Sequence, residues 1–415
     1  MPADRRVEHL LIGGGIAGAT AARTLREEGA DGSILLVGRE LDPPYHRPPI
    51  SKAYLQGRET RAQTLVFEPG WWAEHDIDLK VRTSVTELDP VARTARLSSG
   101  ETVEFETALL ATGAMVRRLG VDGSQLDGIH YLRALANADS LRRDIDGVER
   151  IVIVGGSYIG CEVAASLTAL GKKCTILMQE AVTLERHFGA QAGHFFQEIL
   201  EAHGIDVVGD DEIDRFEGDG DRVRTVVTGN GRAIPADAVV CGVGAIPDVM
   251  LARKAGLALG PSGGVLVDAC LETSQAGVYA AGDICEYASA VHGRVLRIEH
   301  EDVAAEQART AARNMLGQDR PHVAVPYFFS DLADWASLEY VGPAAAWDDE
   351  VIRGSIGDGD FTLFYLAAGR VVAALGVGPS AQLDHARRLI VAATPIPDPA
   401  VLARGDLDRL AASTS

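Results

Sequence analysis

A pattern of apolar runs and glycine turns occurs twice in the first half of the chain. Val7–Gly18 (VEHLLIGGGIAG) and Arg150–Gly160 (RIVIVGGSYIG) each consist of a short apolar run followed by a glycine-rich turn. A helical pattern follows each turn, at Ala19–Glu28 and Cys161–Leu170, and another strand-like run follows each helix. Apolar runs that alternate with helical segments indicate strand–helix–strand units with parallel strands. The sequence therefore predicts an α/β fold with two Rossmann-like units.

Further strand-like runs lie outside these two units. They are Thr83–Asp89, Thr94–Leu97, Ala108–Gly113, Val223–Thr228, Ala238–Gly242, Phe361–Leu366 and Val371–Val377. Beyond about Pro326 the runs alternate as strands and a helical pattern follows at Ser380–Ala392, which predicts a C-terminal α+β domain. Asp206–Asp221 is acidic and rich in glycine, so we interpret it as solvated turns. The polar tail after the Pro-rich stretch Thr394–Pro399 is expected to fray.

The charge balance and the cysteines limit the classes of partner. The chain has 39 Lys and Arg residues against 59 Asp and Glu residues, which gives a formal net charge of −20. Nucleic acids and anionic membranes attract basic proteins, so we expect neither as a partner. The cysteines form no CxxC pair and no metal-ligand spacing, which fits reduced thiols in the cytoplasm and predicts no metal site. They are Cys161, Cys174, Cys241, Cys270 and Cys285.

The first glycine turn has the form of a dinucleotide-binding turn. Gly13-x-Gly15-x-x-Gly18 lies between a predicted strand and a predicted helix, the context that makes this motif specific. Backbone N–H groups at such a helix start bind phosphate, and the helix dipole favours the negative charge. We therefore expect Gly13, Gly15, Ile16, Ala17 and Gly18 to hold the pyrophosphate of one dinucleotide.

The second turn has the same form with one departure. Gly155 and Gly160 occupy the outer glycine positions, and Ser157 replaces the middle glycine. Serine is small, so the backbone can still approach a pyrophosphate. We expect Tyr158 and Ile159, which open the helix, to share this second dinucleotide site.

Acidic residues near the end of the second strand of each unit are candidates for binding ribose. In the first unit Gly38-Arg39-Glu40 follows the strand, so Glu40 is a candidate one position late. In the second unit Met178-Gln179-Glu180 follows the strand, and Glu180 can accept a ribose hydroxyl. This segment has no Arg to take a 2′-phosphate, which favours NADH over NADPH.

Two other strand ends carry candidate ligand residues. Thr273–Asp283 (TSQAGVYAAGD) ends in Gly-Asp, which places the Asp283 carboxylate at the carboxyl end of a strand. Open α/β sheets bind ligands at that edge. Ala111, Thr112 and Gly113 form a second such strand end (ATG).

The order of these motifs resembles that of pyridine nucleotide:flavin oxidoreductases with two dinucleotide-binding domains. It runs from GxGxxG through ATG and the second turn to VGAIPD at 243–248 and the Gly-Asp pair. Tyr45–Lys52 (YHRPPISK) and Pro326–Asp331 (PYFFSD) narrow the resemblance further. They are similar to bacterial ferredoxin reductases of oxygenase systems, of the putidaredoxin reductase type, which are related to apoptosis-inducing factor. The resemblance covers the chain from about Val7 to Ile390.

The resemblance implies a domain organisation and a function. An FAD-binding domain would span 1–114 and 246–324, an NAD-binding domain 115–245, and the C-terminal α+β domain 325–415. The implied enzyme passes electrons from NADH via FAD, one at a time, to a [2Fe–2S] ferredoxin of an oxygenase system. It would act in the cytoplasm as a monomer or homodimer.

The resemblance also implies further cofactor contacts. These contacts add to those of the two turns, the ribose candidates and the strand ends. The residues expected to make them are Arg39, Arg47, Lys52, Val85, Arg133, Gly244, Glu299, His300 and Phe329. Two of these depart from the family pattern, because Phe329 stands where the family usually has Trp and Arg39 where it often has an acid. Glu299 and His300 belong to an acidic run that resembles a metal cluster, but adjacent residues on a helix point in different directions.

Lys52 and Glu162 are the predicted catalytic residues. Glu162 lies two residues beyond Gly160, in the first turn of the second predicted helix. The resemblance implies that the two side chains meet as a buried pair beside the flavin, where the ammonium would stabilise negative charge. Glu162 would keep the lysine charged. The alternative is that Glu162 only complements an exposed helix N-terminus.

Two other functions remain open at this stage. One is an NADH-sensing flavoprotein like apoptosis-inducing factor, and the other is an NADH oxidase or quinone-type reductase. Relatives that reduce disulfides carry a cysteine pair, and oxidase relatives carry a cysteine near the flavin. Neither the first helix nor Tyr45–Lys52 contains a cysteine. We therefore expect the cysteines to be small buried core residues and electrons to leave FAD directly.

Overall fold

A computed structural model describes residues 3–343 and 346–412 of the chain. The α-helices are Ile16–Glu27, Trp71–Glu74, Leu135–Asp144, Tyr158–Ala169, Glu185–Ala202, Met250–Lys254, Glu301–Met315, Leu383–Ala392, Ala400–Arg404 and Leu407–Ala412, with short 3₁₀ turns at Pro48–Ser51 and Ala62–Thr64. The strands are Arg5–Ile12, Ile34–Val37, Ile77–Lys80, Val85–Asp89, Thr94–Leu97, Thr102–Leu110, Ala114–Val116, Ile129–His130, Arg150–Val154, Lys173–Leu177, Asp206–Val208, Ile213–Asp219, Arg222–Thr228, Ala233–Pro235, Ala238–Cys241, Ala245–Pro247, Val265–Val267, Val278–Ala280, Cys285–Ser289, Arg294–Leu296, Tyr327–Leu332, Ala336–Val341, Asp349–Ser355, Asp360–Ala367 and Arg370–Val377.

These residues form two compact units. The first contains 3–46, 64–115 and 246–328, and the second contains 47–63, 116–245, 329–343 and 346–412. The segment 47–63, which the sequence analysis assigned to the FAD-binding domain, belongs to the second unit. The finer division into three domains stays a prediction, and residues 1–2, 344–345 and 413–415 of its ranges lie outside the described residues.

The first unit is built on a mainly parallel sheet. Ile77–Lys80, Ile34–Val37, Arg5–Ile12 and Thr102–Leu110 are parallel neighbours in that order, and Val278–Ala280 also pairs in parallel with Thr102–Leu110. The central strands are apolar on both faces, as in parallel sheets that are covered on both sides. The glycine turn after Arg5–Ile12 therefore lies at the carboxyl edge of a buried sheet.

The second unit repeats this arrangement and adds an antiparallel sheet. Five parallel strands lie in the order Asp206–Val208, Lys173–Leu177, Arg150–Val154, Ala238–Cys241 and Ile129–His130. The C-terminal strands form a five-stranded sheet of their own, with helix Leu383–Ala392 packed against it. The predicted fold class, two Rossmann-like units and a C-terminal α+β region, is confirmed.

Two sequence expectations about local structure are wrong. Asp206–Asp221 contains the strands Asp206–Val208 and Ile213–Asp219 rather than solvated turns alone, because each strand pairs with a neighbour that the local composition does not reveal. The segment after Thr394–Pro399 forms two short helices and does not simply fray. Leu402 and Leu407 are buried there, and Arg353 donates to the backbone carbonyl of Leu402 at 3.1 Å.

Both dinucleotide helices begin earlier than the sequence pattern indicates. They start at Ile16 and Tyr158, inside the glycine turns, rather than after them. The third small residue of each motif is therefore part of the helix. Among the described helices, none combines the length and apolar character needed to cross a bilayer.

Candidate functional site

The first glycine turn combines two tight backbone contacts with one open position. Gly13 has φ +133°, and a Cβ there would lie 2.0 Å from the carbonyl oxygen of Ala111. A Cβ on Gly18 would lie 2.1 Å from the carbonyl oxygen of Gly13. A Cβ on Gly15, by contrast, would meet no atom within 4 Å. Gly15 is the N-cap of helix Ile16–Glu27, so it leaves clear space in front of the free N–H groups of the helix.

The second turn has the same geometry. Gly155 has φ +112°, and a Cβ there would lie 2.4 Å from the carbonyl oxygen of Gly242. A Cβ on Gly160 would lie 2.0 Å from the carbonyl oxygen of Gly155. Ser157 takes the N-cap position that Gly15 takes in the first turn, with nearly the same backbone angles. The serine therefore preserves the path of the backbone.

The strand end Ala111–Gly113 is tied to Asp248, a residue that the sequence analysis did not single out. The Thr112 hydroxyl donates to the Asp248 carbonyl at 2.7 Å, and the Asp248 N–H donates to the Gly113 carbonyl at 2.9 Å. The Asp248 side chain forms an ion pair with Arg39 at 2.6 Å. Arg39 is thus paired with an acid more than 200 positions away in the chain. The sequence analysis included this acid only as the last residue of the VGAIPD motif.

Two further predicted cofactor contacts of the first unit, Glu40 and Val85, have different surroundings. Glu40 accepts a hydrogen bond from the Tyr45 hydroxyl. Val85 opens a strand and pairs with Leu97. Glu40 is thus oriented by a side chain five positions further along the chain.

The Gly-Asp turn lies against the first dinucleotide helix. Cβ atoms on Ala17 and Ala304 lie 3.6 Å and 3.5 Å from where a Cβ on Gly282 would be. Gln307, which is fully buried, accepts the Gly282 N–H at 2.8 Å through its side-chain oxygen. Its Nε2 has no hydrogen-bond partner among the described residues. A buried donor without a partner indicates a place for an acceptor group beside Asp283.

Arg297 joins two of the predicted flavin contacts. It donates to the Asp283 carbonyl at 3.1 Å and to the Glu299 carboxylate at 2.5 Å. His300 caps helix Glu301–Met315 and its ring lies 4.1 Å from that of Phe328. His300 is therefore packed against Phe328, whereas Glu299 lies at the surface and is held by Arg297. Within residues 3–343 and 346–412 no three His, Cys, Asp or Glu side chains group as a metal site.

The second unit contains a buried charge cluster around Glu162. Lys52 Nζ lies 2.9 Å from Glu162 Oε1 and 3.7 Å from Asp331 Oδ2. Ser51 Oγ donates to Glu162 Oε2, and Ser330 Oγ donates to Glu162 Oε1, each at 2.6 Å. The side chains of Lys52 and Glu162 are 14% and 8% exposed. The predicted pair is therefore formed and buried, and Glu162 does not lie at an exposed helix end.

Four more of the predicted cofactor contacts belong to the second unit, and one of them, Phe329, lies against this cluster. The ring centroid of Phe329 is 4.8 Å from Lys52 Nζ, so the aromatic face contacts the cation. Arg47 donates to the backbone carbonyl of Arg133. Gly244 has φ +94° and open space at its Cβ position. Sequence reasoning missed Ser51 and Ser330, although both lie in the quoted motifs YHRPPISK and PYFFSD.

The ribose candidate of the second unit, Glu180, has a basic neighbour that the sequence analysis did not consider. Arg186 Nη2 lies 3.1 Å from Glu180 Oε1. The neighbouring Gln179 side chain donates to Glu212 at 2.6 Å. Tyr158, which opens the dinucleotide helix, stacks on His187 with ring centroids 4.4 Å apart.

The cysteines are unsuited to a thiol relay. All five are free thiols, and all except Cys270 are buried. Burial raises the pKa of Cys174 to about 11 and that of Cys241 to about 12. It raises the pKa values of Cys161 and Cys285 further still. A thiol reacts as its thiolate, so these side chains are chemically inert at neutral pH.

The residues present fit two dinucleotides. In the first unit, the open space at Gly15 and the unpartnered Gln307 donor suit the phosphates and ribitol chain of FAD. In the second unit, the turn at Gly155–Gly160 and the carboxylate of Glu180 suit an NAD-type dinucleotide. These fits come from the chain's own geometry in each unit.

Comparison with known proteins agrees with this chemistry. Residues 7–312 match the pyridine nucleotide-disulphide oxidoreductase family, and residues 327–410 match the reductase C-terminal family. The chain is 35% identical over 404 residues to the 5,5′-dehydrodivanillate O-demethylase ferredoxin reductase subunit of Sphingobium sp., covering 97% of this chain and 95% of that protein. It is 33% identical over 392 residues to putidaredoxin reductase of Pseudomonas putida, covering 93% and 92%. The crystal structure of the covalent putidaredoxin reductase–putidaredoxin complex matches with a TM-score of 0.92 and 32% identity, covering 100% of this chain and 99% of that chain.

Proposed function

The chain belongs to the pyridine nucleotide-disulphide oxidoreductase family, and from that premise we propose that it is the FAD-dependent ferredoxin reductase of an oxygenase system. In this role it takes electrons from NADH and delivers them one at a time to a [2Fe–2S] ferredoxin. The named relatives that it resembles over nearly their whole length are ferredoxin reductases. The family that the sequence motifs indicated is thereby confirmed.

The observation that carries this proposal is the pair of equivalent glycine turns in a chain whose described thiols are nearly all buried. The two turns can bind a flavin and a pyridine nucleotide. The buried cysteines provide no dithiol that could carry electrons from the flavin to a partner. Bound FAD would supply the exchange between a two-electron donor and a one-electron acceptor. An acceptor that takes electrons directly from the flavin, such as an iron–sulfur protein, fits this arrangement best.

The chain's own residues bind and orient the cofactors in this mechanism. The N–H groups at the starts of helices Ile16–Glu27 and Tyr158–Ala169 hold the two pyrophosphates. Asp283 accepts from the ribitol hydroxyls, and Gln307 donates to an acceptor beside it. Lys52 provides a fixed positive charge, and Glu162 keeps that charge in place while accepting from two serine hydroxyls. A preorganised charge of this kind stabilises negative charge that develops during electron transfer.

NADH is the proposed donor in preference to NADPH. Glu180 is the acid expected to accept the ribose 2′-hydroxyl, and its loop lies beside further acids. The Asp210 N–H donates to the Glu180 carbonyl at 3.1 Å, and Gln179 donates to Glu212. A 2′-phosphate would meet like charge at this position. The ratio of kcat/KM for NADH and NADPH measures this preference, and a ratio that favours NADPH would reject it.

Asp283 gives a test of the FAD assignment. We expect Asp283→Ala to lose flavin during dialysis against buffer, because the ribitol loses an acceptor, whereas the protein as purified stays yellow. Asp384→Ala, which removes an acid whose side chain is 90% exposed, is the control. Full flavin retention in Asp283→Ala would show that this carboxylate does not hold FAD.

The experiment that tests the whole function is cytochrome c reduction by NADH, with and without each candidate ferredoxin of the host. We expect the rate to rise many-fold with one [2Fe–2S] ferredoxin and to stay low without it. Equal rates with and without every ferredoxin would favour a quinone-type reductase or an NADH-sensing flavoprotein instead. The reductase is proposed to act in the cytoplasm, where such ferredoxins and reduced thiols occur together.

A further inference from the structure

Arg297 connects the Gly-Asp turn of the first unit to the segment that leads into helix Glu301–Met315. It directly follows strand Arg294–Leu296. Its Nη1 donates to the backbone carbonyl of Asp283 at 3.1 Å and to the carboxylate of Glu299 at 2.5 Å. The Arg297 side chain is 17% exposed, against 34% for Glu299. One guanidinium nitrogen therefore ties the turn that carries Asp283 to a residue two positions before the helix.

The aliphatic part of Arg297 packs on Gly264. A Cβ on Gly264 would lie 2.9 Å from Arg297 Cδ and 2.8 Å from the carbonyl oxygen of Ile284, so a side chain there would displace the arginine. The loop around Gly264 is fixed by Glu286, which is 1% exposed. The Glu286 carboxylate accepts the Gly264 N–H at 3.0 Å and the Ser262 N–H at 3.1 Å. This buried, hydrogen-bonded carboxylate holds the loop, and the loop in turn holds the arginine.

A second side chain links the same helix to the same turn. Gln307, on helix Glu301–Met315, accepts the Gly282 N–H at 2.8 Å. Gly282 has φ +81°, and its carbonyl accepts the Cys285 N–H at 2.8 Å, so the turn is closed by a bond of its own. The helix region therefore contacts the turn at two points, through Gln307 and through the Arg297 bridge.

Both linking side chains also have a buried donor that no protein group uses. Within the part of the chain that the structure describes, neither Arg297 Nε nor Gln307 Nε2 has a hydrogen-bond partner. Buried donors in proteins are nearly always paired. Two such donors on side chains that contact the Gly-Asp turn indicate that a ligand rich in acceptors binds beside it. The phosphates and ribitol of FAD are acceptors of this kind.

We propose that Arg297 is a positioning residue for the flavin. By bridging the Asp283 carbonyl and the Glu299 carboxylate, it holds the turn where the Asp283 side chain accepts the ribitol hydroxyls. An arginine suits this role, because its planar guanidinium presents several donors in a fixed geometry and is always charged. The inference rests on the proposed function, because it concerns the FAD site of that same enzyme.

Titration of the flavin-free protein with FAD, and competition by ADP, test this role without turnover. ADP contains the adenosine and diphosphate of FAD but no ribitol, and its inhibition constant against FAD reports only on the first turn. Arg297→Met keeps an unbranched apolar stem on Gly264 and removes the guanidinium. We expect it to raise the FAD Kd roughly tenfold to hundredfold, as for a lost charge-assisted hydrogen bond, and to leave the ADP inhibition constant within about twofold. Arg297→Lys, which keeps the charge, should recover part of the loss.

The orientation of the bound flavin gives a second readout. At saturating FAD, we expect the visible circular dichroism of the flavin to change in Arg297→Met and to return toward the wild-type spectrum in Arg297→Lys. A loss of stability alone would leave this spectrum unchanged. The double variant with Glu299→Ala should bind FAD no more weakly than the weaker single variant, because the two side chains form one bridge.

Arg26 provides a matched control in the same unit. It is also half-buried and donates to backbone carbonyls, those of Ala30 and Gly32 at 2.6 and 2.9 Å. Arg26→Met should lower the free energy of unfolding of the flavin-free protein and change neither the FAD Kd nor the spectrum. An unchanged FAD Kd in Arg297→Met, equal losses of FAD and ADP binding, or additive effects with Glu299→Ala would each overturn the proposal. Ferredoxin reduction by NADH, assayed with the unmodified holoprotein, tests the proposed function separately.

Discussion

Lys52 Nζ and Glu162 Oε1 lie 2.9 Å apart in a buried pair, although the two residues belong to distant parts of the chain. Glu162 also accepts hydroxyl hydrogens from Ser51 and Ser330, so three donors converge on one carboxylate. A buried charge without such partners would be costly. The lysine is thus held in place by a carboxylate that is itself fully hydrogen-bonded.

The first prediction concerns this pair. We expect Lys52→Met and Glu162→Gln each to slow flavin reduction by NADH roughly 10²- to 10³-fold in stopped-flow experiments, the typical cost of losing one transition-state electrostatic contact. The double variant should resemble the slower single variant, because the two groups act as one unit. Lys80→Met and Glu101→Gln, which break a half-buried pair at 2.7 Å in the first unit, are the controls. Strictly additive losses, or wild-type rates in both single variants, would remove the pair from the mechanism.

The second prediction separates flavin binding from folding at the first turn. Gly15→Ala fills open space, so we expect the free energy of unfolding of the flavin-free protein to change by less than about 1 kcal/mol. Its FAD Kd should rise about tenfold or more, because a methyl group occupies the position of a phosphate. Gly18→Ala forces a Cβ to 2.1 Å from the Gly13 carbonyl and should destabilise the fold by about 1–3 kcal/mol.

The measurements are urea unfolding of the flavin-free protein and fluorescence titration with FAD. Gly120→Ala, at an exposed position where a Cβ meets no atom within 4 Å, is the neutral control. Unchanged FAD affinity in Gly15→Ala would contradict the assigned position of the pyrophosphate.

The third prediction is that turnover needs no thiol. At pH 8 a thiol reagent should modify at most Cys270 in the folded protein, because burial keeps the other thiols protonated. All five should react after unfolding. Variants that replace each cysteine singly by Ala should retain NADH:ferricyanide activity; loss of flavin reduction in one folded variant would falsify the thiol-free route.

The fourth prediction concerns stability at acidic pH. Burial lowers the pKa of His322 from its ordinary value of 6.5 to about 4. Between these two values the unfolded chain binds the proton and the folded chain does not, so stability falls as the pH drops below 6.5. At pH 5 this one group should cost about 2 kcal/mol relative to neutral pH.

Urea unfolding of the wild type and of His322→Gln at pH 5 and pH 7 checks this sign. We expect the variant to lose some stability at both pH values, since the Thr310 hydroxyl lies 3.1 Å from His322 Nδ1. The expected signature is a pH dependence that is shallower than that of the wild type by about 2 kcal/mol. Parallel pH profiles would show that folding does not lower the pKa of His322.

The sequence alone determined the features that depend on local pattern. Apolar runs, glycine positions and the absence of paired cysteines predicted two dinucleotide units, because a backbone at φ +133° beside a carbonyl admits only glycine. The motifs in their order also identified the family. The pairing of Lys52 with Glu162 came from resemblance and not from spacing.

Only the tertiary structure decided which distant residues meet. Asp248 beside Arg39, Ser330 on Glu162, and the strands inside Asp206–Asp221 all depend on pairing between segments far apart in the chain. Arg186 lies only six positions beyond Glu180, yet the left-handed turn at Leu184 is what brings it back to that carboxylate. Local composition does not encode such contacts, because they form only when packing fixes the relative positions of whole strands and helices.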